Sequence, residues 1–177
     1  LYDTISKTQQ GPFTSNGAFA SSEDTNDKLL SVFYHTKSDA LWVTTRTGLA
    51  KLNPQTRNLE FVALNGKSGY SIHIDDDGDI WYGGYSDGLF VYRPSEDRVI
   101  KQWPLSLTTR IVLDDNENAW LSTVSGLFVA NKLTGDLTSV SEFTDKISDQ
   151  TVVTWISQSK RGGYWIGTQA AGLFFMS

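Results

Sequence analysis

Apolar and polar residues alternate through Tyr70-Ser71-Ile72-His73-Ile74-Asp75, and the two-residue period predicts a strand. Asp76-Asp77-Gly78 reads as a turn, residues 79–84 as a second strand, residues 85–88 as another turn and residues 89–93 as a third strand. Pro94-Ser95-Glu96-Asp97 interrupts the pattern, and residues 98–103 supply a fourth strand before Pro104. The same succession predicts strands over 29–35, 40–45, 49–53 and 59–64, and again over 110–114, 118–123, 127–131 and 137–143. Residues 152–158, 163–168 and 173–176 give three more. Helical spacing of apolar residues at i, i+3 and i+4 is convincing nowhere.

A tryptophan marks the second strand of every set. Trp42, Trp81, Trp120 and Trp165 lie 39, 39 and 45 residues apart, and each precedes a Gly-Leu pair headed by Gly48, Gly88, Gly126 or Gly172. A period near 40 with a fixed Trp and a fixed Gly predicts an all-β fold, a β-propeller of four-stranded antiparallel blades. The blades fall at 29–64, 70–104 and 109–143, with a three-stranded part at 151–177. Two residues beyond the tryptophans stand Thr44, Gly83, Ser122 and Gly167, small enough to let the next blade approach a large flat ring. The four tryptophans are therefore expected to be structural, packed between blades. The glycines are expected to take positive φ where the third strand begins.

Leu1-Tyr2-Asp3-Thr4 looks like the end of a third strand, and residues 7–11 like an outer strand without a blade of its own, followed by a linker up to residue 28. Residues 1–11 are expected to complete the last blade. The chain is thus read as one propeller region, either a four-bladed closed ring or a four-blade segment of a larger propeller. An open arc would expose two apolar inter-blade faces, so the expected partners include further propeller blades or a second copy of the chain.

The repeats resemble those of the two-component regulator propeller family. The fuller copies are Ile72-His-Ile-Asp-Asp-Asp-Gly-Asp-Ile-Trp-Tyr-Gly-Gly84 and Val152-Val-Thr-Trp-Ile-Ser-Gln-Ser-Lys-Arg-Gly-Gly-Tyr-Trp-Ile-Gly-Thr168. Trp42-Val-Thr-Thr and Trp120-Leu-Ser-Thr are degenerate copies that lack the turn glycine three residues before the Trp. The resemblance covers residues 29–177 and implies an extracytoplasmic, periplasmic sensor region of a histidine kinase, hybrid two-component protein or diguanylate cyclase. It further implies a non-catalytic module, with any kinase or cyclase activity in other parts of a parent protein, and an oligosaccharide or other small molecule as ligand.

Composition narrows the alternatives. With 39% hydrophobic, 12% aromatic and 20% charged residues the chain has a globular composition, and no apolar run is long enough to span a bilayer, so no direct membrane insertion is expected. It opens without Met or a charged-then-apolar leader, as a processed or excised segment would. A net charge of −5 with no basic block argues against nucleic acid as a partner. The absence of Cys removes disulfides, thiolate chemistry and Cys-ligated zinc.

Candidate chemistry is sparse. Asp75, Asp76, Asp77 and Asp79 form the densest acidic group, but Gly78 falls too early for a helix-loop-helix calcium site, and the cluster reads as a solvated turn. Asp76-x-Gly78-x-x-Trp81 also resembles the Asp-box turn of sialidase propellers, without the Ser and Thr of its fuller form and without a trio of clustered arginines. His35 and His73 lie at different offsets from their tryptophans, and no nucleophile elbow, metal pair or phosphate loop appears, so no catalytic residue, metal site or cofactor is assigned. Loops at one mouth of the channel offer Arg46, Tyr85, Asp87, Arg110 and Gln169 as candidate ligand-binding residues, a set of stacking and hydrogen-bonding groups suited to a sugar. Two other readings stay open: a carbohydrate-active propeller enzyme, lyase or glycosidase, and a purely architectural or dimerisation module.

Overall fold

A computed structural model describes residues 2–3, 8–9, 29–53, 59–140, 143 and 152–177. Two short strands near the start, β1 (Tyr2–Asp3) and β2 (Thr8–Gln9), pair with each other antiparallel. Four antiparallel sheets follow in chain order. β3 (Leu29–His35), β4 (Ala40–Thr45), β5 (Leu49–Leu52) and β6 (Leu59–Ala63) form the first blade. β7 (Gly69–Ile74), β8 (Ile80–Gly84), β9 (Leu89–Arg93) and β10 (Arg98–Trp103) form the second. The third holds β11 (Thr108–Leu113), β12 (Asn118–Thr123), β13 (Gly126–Asn131) and β14 (Leu137–Ser139), and the fourth β15 (Val153–Gln158), β16 (Tyr164–Thr168) and β17 (Leu173–Met176).

Each sheet is a meander whose first strand is innermost, and each inner strand carries a register shift near its start: between Leu29 and Ser31, Gly69 and Ser71, Thr108 and Arg110, and Val153 and Trp155. The shift leaves Leu30, Tyr70, Thr109 and Thr154 outside the ladder, and such a bulge re-aims the local side chains. Turn chemistry repeats as well. The hydroxyls of Thr45, Thr123 and Thr168 donate to the carbonyl oxygens of Gly48, Gly126 and Gly172, at 3.1, 2.9 and 2.8 Å. In the second blade that Thr is Gly84, whose N–H donates to Gly88 O at 2.8 Å. Gly88 itself has φ +118°, and a Cβ there would lie 2.5 Å from Trp103 O, so only glycine fits.

Successive blades share their cores. Trp42, Ala40 and Leu49 pack with Ile72, Ile74, Ile80 and Tyr82 of the second blade. Trp81, Leu89 and Val91 pack with Ile111, Ala119 and Leu121 of the third. Leu127 and the ring of Trp120 pack with Val153, Ile156 and Ile166 of the fourth. Trp81 is 1% exposed and Trp42 7%, whereas Trp165, with no blade after it among the described residues, is 45% exposed. Phe175 and Leu173 share that open face. At the other end, Val32 is 60% exposed although its counterparts Ile72, Ile111 and Ile156 are buried; Val43, Ala50, Leu52 and Leu59 beside it form a small buried cluster.

Of the two architectures the repeat allowed, the described blades thus form an arc: a closed ring would bury Trp165 against the first blade. Most of the expected outer strand at residues 1–11, and the linker to residue 28, lie outside the described residues. β17 has β16 as its strand neighbour among those described. Several strand bounds move by one or two residues, and the largest correction falls at the end of the third blade. The strand expected over 137–143 ends at Ser139, because Val140 O accepts the N–H of Phe143 at 3.2 Å and turns the chain, sending the Phe143 ring into the third inter-blade core.

The small residue after each Trp sets the approach distance. A Cβ on Gly83 would come within 2.3 Å of Ser71 Oγ and 2.8 Å of Thr108 Cβ on the next blade, whereas on Gly167, which faces no further blade among the described residues, its nearest neighbour is at 3.4 Å. Gly83→Ala should therefore cost about 2 kcal/mol of stability through overpacking, and Gly167→Ala no more than about 0.5 kcal/mol. Chemical denaturation of both variants checks this, and equal losses would contradict it.

Candidate functional site

The strand ends define two opposite rims. At one rim, turns between first and second strands carry the acidic clusters. At the other lie the turns between second and third strands and the connections that enter each inner strand.

At the acidic rim, Asp75 Oδ1 accepts the backbone N–H groups of Asp77 and Asp79 at 3.1 and 2.9 Å, and Oδ2 accepts the Trp81 indole N–H at 3.1 Å. Asp114 repeats this with Asn116, Asn118 and the Trp120 indole at 2.9, 3.0 and 3.1 Å. Each carboxylate therefore fixes its turn and orients its tryptophan. The following blade adds a further tie. Lys132 Nζ, on the third blade and buried, lies 2.7, 2.8 and 3.1 Å from Asp75, Asp77 and Asp79. Tyr164, on the fourth, stacks on Trp120 with ring centroids 4.1 Å apart; burial first, then the charge and hydrogen bonding of Asp114, push its hydroxyl up to about 12.

The cluster read as a solvated turn is therefore a clamp between blades. Oxygens of Asp75, Asp77 and Asp79 lie within 4.8 Å of one another, close enough to share a cation, and the Lys132 ammonium sits among them. Arg93 adds a fork onto Asp79 at 2.8 and 2.6 Å. Burial raises the Asp79 pKa, but hydrogen bonds and charge from Arg93 and Lys132 outweigh it, and the net shift is downward. Beside the clamp, a cavity of about 320 Å³ lies between the second and third blades, walled by His73, Asp76, Asp115 and Glu117 among others. Burial, then the charge of Arg110, lowers the His73 pKa.

At the opposite rim, two of the five loop candidates meet. Arg46 and Tyr85 line one hollow of about 320 Å³ with Leu30, Ser68 and Tyr70. Tyr70, the bulge residue of β7, stacks on Tyr85 with centroids 5.6 Å apart and planes 29° apart, and both rings are half-exposed. Tyr85 is held at its base, since its N–H donates to Ser68 O and its C=O accepts from Leu107 N, both at 2.8 Å. The other three candidates lie elsewhere. Asp87 pairs with Lys67 at 3.5 Å; the Arg110 guanidinium lies 4.1 Å above the Trp155 ring; exposed Gln169 donates its backbone N–H to Val152 O at 2.9 Å. Tyr70 stands next to a glycine in the sequence and reads as an alternating strand residue. Only the bulge turns it toward Tyr85.

No family model matches the chain, and no curated protein does. Solved structures do. The extracellular domain of a proposed hybrid two-component system of B. thetaiotaomicron matches with a TM-score of 0.70 and 22% identity over 92% of this chain and 23% of its own length. The extracellular domain of a proposed one-component system of the same organism matches at 0.68 and 22%, over 84% and 21%. A streptogramin B lyase matches at 0.63 and 14%, over 86% and 55%. The fold is a β-propeller. The chain spans 21–23% of the length of the two extracellular domains, whose architecture agrees with the resemblance carried by the repeats. Because a lyase is similar too, the fold by itself does not separate binding from catalysis. Among the described residues no helix is long and apolar enough to cross a membrane.

Removing Lys132 would leave Asp75 without its cation and Asp79 with Arg93 alone, and breaking such a buried pairing costs about 3 kcal/mol. The Asp79 carboxyl titrates below its ordinary 3.8 in the folded chain, so its contribution is present above that pH and lost as pH falls through the folded value. Lys132→Met should be destabilised by about 3 kcal/mol at pH 7, and the gap should narrow in acid, at a pH below 3.8, as the Asp79 carboxylate is lost. Denaturant titrations at the two pH values test this; a gap that is absent, or constant with pH, would contradict the clamp.

Proposed function

We propose that this chain is a non-catalytic, ligand-reading part of a propeller in the periplasmic region of a bacterial signalling receptor, and that it binds a saccharide at the Arg46–Tyr70–Tyr85 hollow. The observation that carries the reading is the exposed tyrosine pair over a concave floor. Stacked aromatic rings offer a flat apolar surface to the C–H face of a sugar, and Ser68 and Arg46 add hydrogen-bonding groups at its edge. The extracellular domains of the matched signalling systems support the compartment and the sensory role. A non-catalytic reading is supported by the lining, which holds no carboxylate among the described residues, whereas glycoside hydrolysis ordinarily uses two facing carboxylates.

The exposed faces of the end blades carry a second part of the reading. Trp165, Phe175 and Leu173 at one end and Val32 and Tyr34 at the other occupy positions that are buried in the second blade, where Trp81, Val91, Leu89, Ile72 and Ile74 stand. Further blades of the same repeat, or a second copy of the chain, cover them in this proposal. Light scattering of the 177-residue chain should show self-association at tens of micromolar, abolished by Trp165→Ser with Phe175→Ser. A monomeric parent chain would contradict it.

A panel of neutral and acidic oligosaccharides tests the ligand. Saturation at one hundred times Kd stabilises by about 2.7 kcal/mol, a thermal shift of roughly 5–10 °C for a chain of this size. Tyr85→Ala should remove the shift without lowering the Tm of the free chain by more than a degree or two. A chain insensitive to every glycan would favour the architectural role, and release of shortened glycans would favour an enzyme.

A further inference from the structure

Charge is unevenly divided between the two rims. In a chain of net charge −5, the acidic turns Asp75–Asp79 and Asp114–Glu117 lie at one end of the strands. At the tyrosine hollow, at the other end, the charged group that lines the wall among the described residues is Arg46, and Lys67, on the connection beside Ser68, pairs with Asp87 at 3.5 Å. Arg110 is engaged by the Trp155 ring. Arg46 is exposed, lines the hollow, and makes no ion pair among the described residues.

A neutral sugar calls for both donors and acceptors at its edge, which hydroxyl and amide side chains supply. A guanidinium supplies donors alone, in a planar fork that matches the two oxygens of a carboxylate or two oxygens of a sulfate ester. Set beside an aromatic platform, such a group recognises a sugar ring that bears an anionic substituent at its rim. Resting on the saccharide reading above, we infer that the Arg46–Tyr70–Tyr85 hollow selects anionic saccharides, with Arg46 holding the carboxylate or sulfate and the tyrosines the ring. Ser68 is left to meet a ring hydroxyl.

Titration calorimetry on the whole 177-residue chain tests this with three probes: tetragalacturonate, its fully methyl-esterified and therefore neutral form, and a sulfated galactan tetrasaccharide. At least one anionic probe should bind, about tenfold or more tighter than the ester, as a charge-assisted hydrogen bond requires. Which anionic probe binds more tightly separates a carboxylate from a sulfate source. Arg46→Gln should erase the preference while leaving the Tm unchanged, Arg46→Lys should keep part of it, and raising salt from 50 to 300 mM should weaken the anionic probe and not the ester. Equal affinity for acid and ester overturns the inference and leaves the saccharide reading standing. A preference that survives Arg46→Gln overturns the assignment to Arg46. Failure of all three probes overturns the inference, and the neutral glycan panel then decides the broader reading on its own.

Discussion

A four-stranded sheet has two faces, and in the middle blades of this chain both are apolar. The face that carries each second-strand tryptophan packs against the next sheet. Trp42 lies on Ile72 and Tyr82, Trp81 on Ile111 and Leu121, and Trp120 on Ile156 and Tyr164. Everything else follows from keeping those rings in place. Gly83 lets the neighbouring inner strand come close enough to accept the Ser71 hydroxyl at Thr108 O, 2.7 Å away. Asp75 and Asp114 hold the indoles, and Lys132 and Tyr164 reach back from the following blade to the same carboxylates. The interface is apolar at its centre and ionic at one rim.

The part of this visible in the sequence is the part that repeats locally. Alternation placed β3, β4, β9, β10, β12 and β17 at their observed bounds, because those strands are flanked by turn residues that stop the pattern sharply. The strand over 137–143 was overextended because Phe143 fits the alternation, yet it serves the next interface. The clamp was not legible for a different reason. Asp75 and Asp114 each stand six residues before a tryptophan, a spacing that could have marked them, but Thr36 and Ser159 hold the corresponding places before Trp42 and Trp165. Lys132 lies 57 residues from Asp75, and only the stacking of sheets brings them together.

The same distinction governs the candidate site. Arg46 and Tyr85 sit on equivalent turns of adjacent blades, so their meeting follows from the repeat. Gln169 is displaced around the arc by two blades, and Arg110 turns instead toward Trp155. What brings Tyr70 to the hollow is a bulge, a backbone feature common to all four inner strands that leaves no trace in composition. The rigid part of the molecule is thus built from the repeated residues. The proposed recognition surface is built from loop residues that differ from blade to blade.

Each of the first three blades is completed by the one after it, and the fourth has no such cover among the described residues. Hydrogen exchange of the ¹⁵N-labelled indole groups tests it most directly, since each tryptophan reports its own interface. The Trp81 and Trp120 indole N–H groups, bonded to Asp75 and Asp114 beneath a following blade, should exchange slowly, near the rate of global unfolding. Trp165, on the open face, should exchange rapidly. Similar rates for all three would contradict the account.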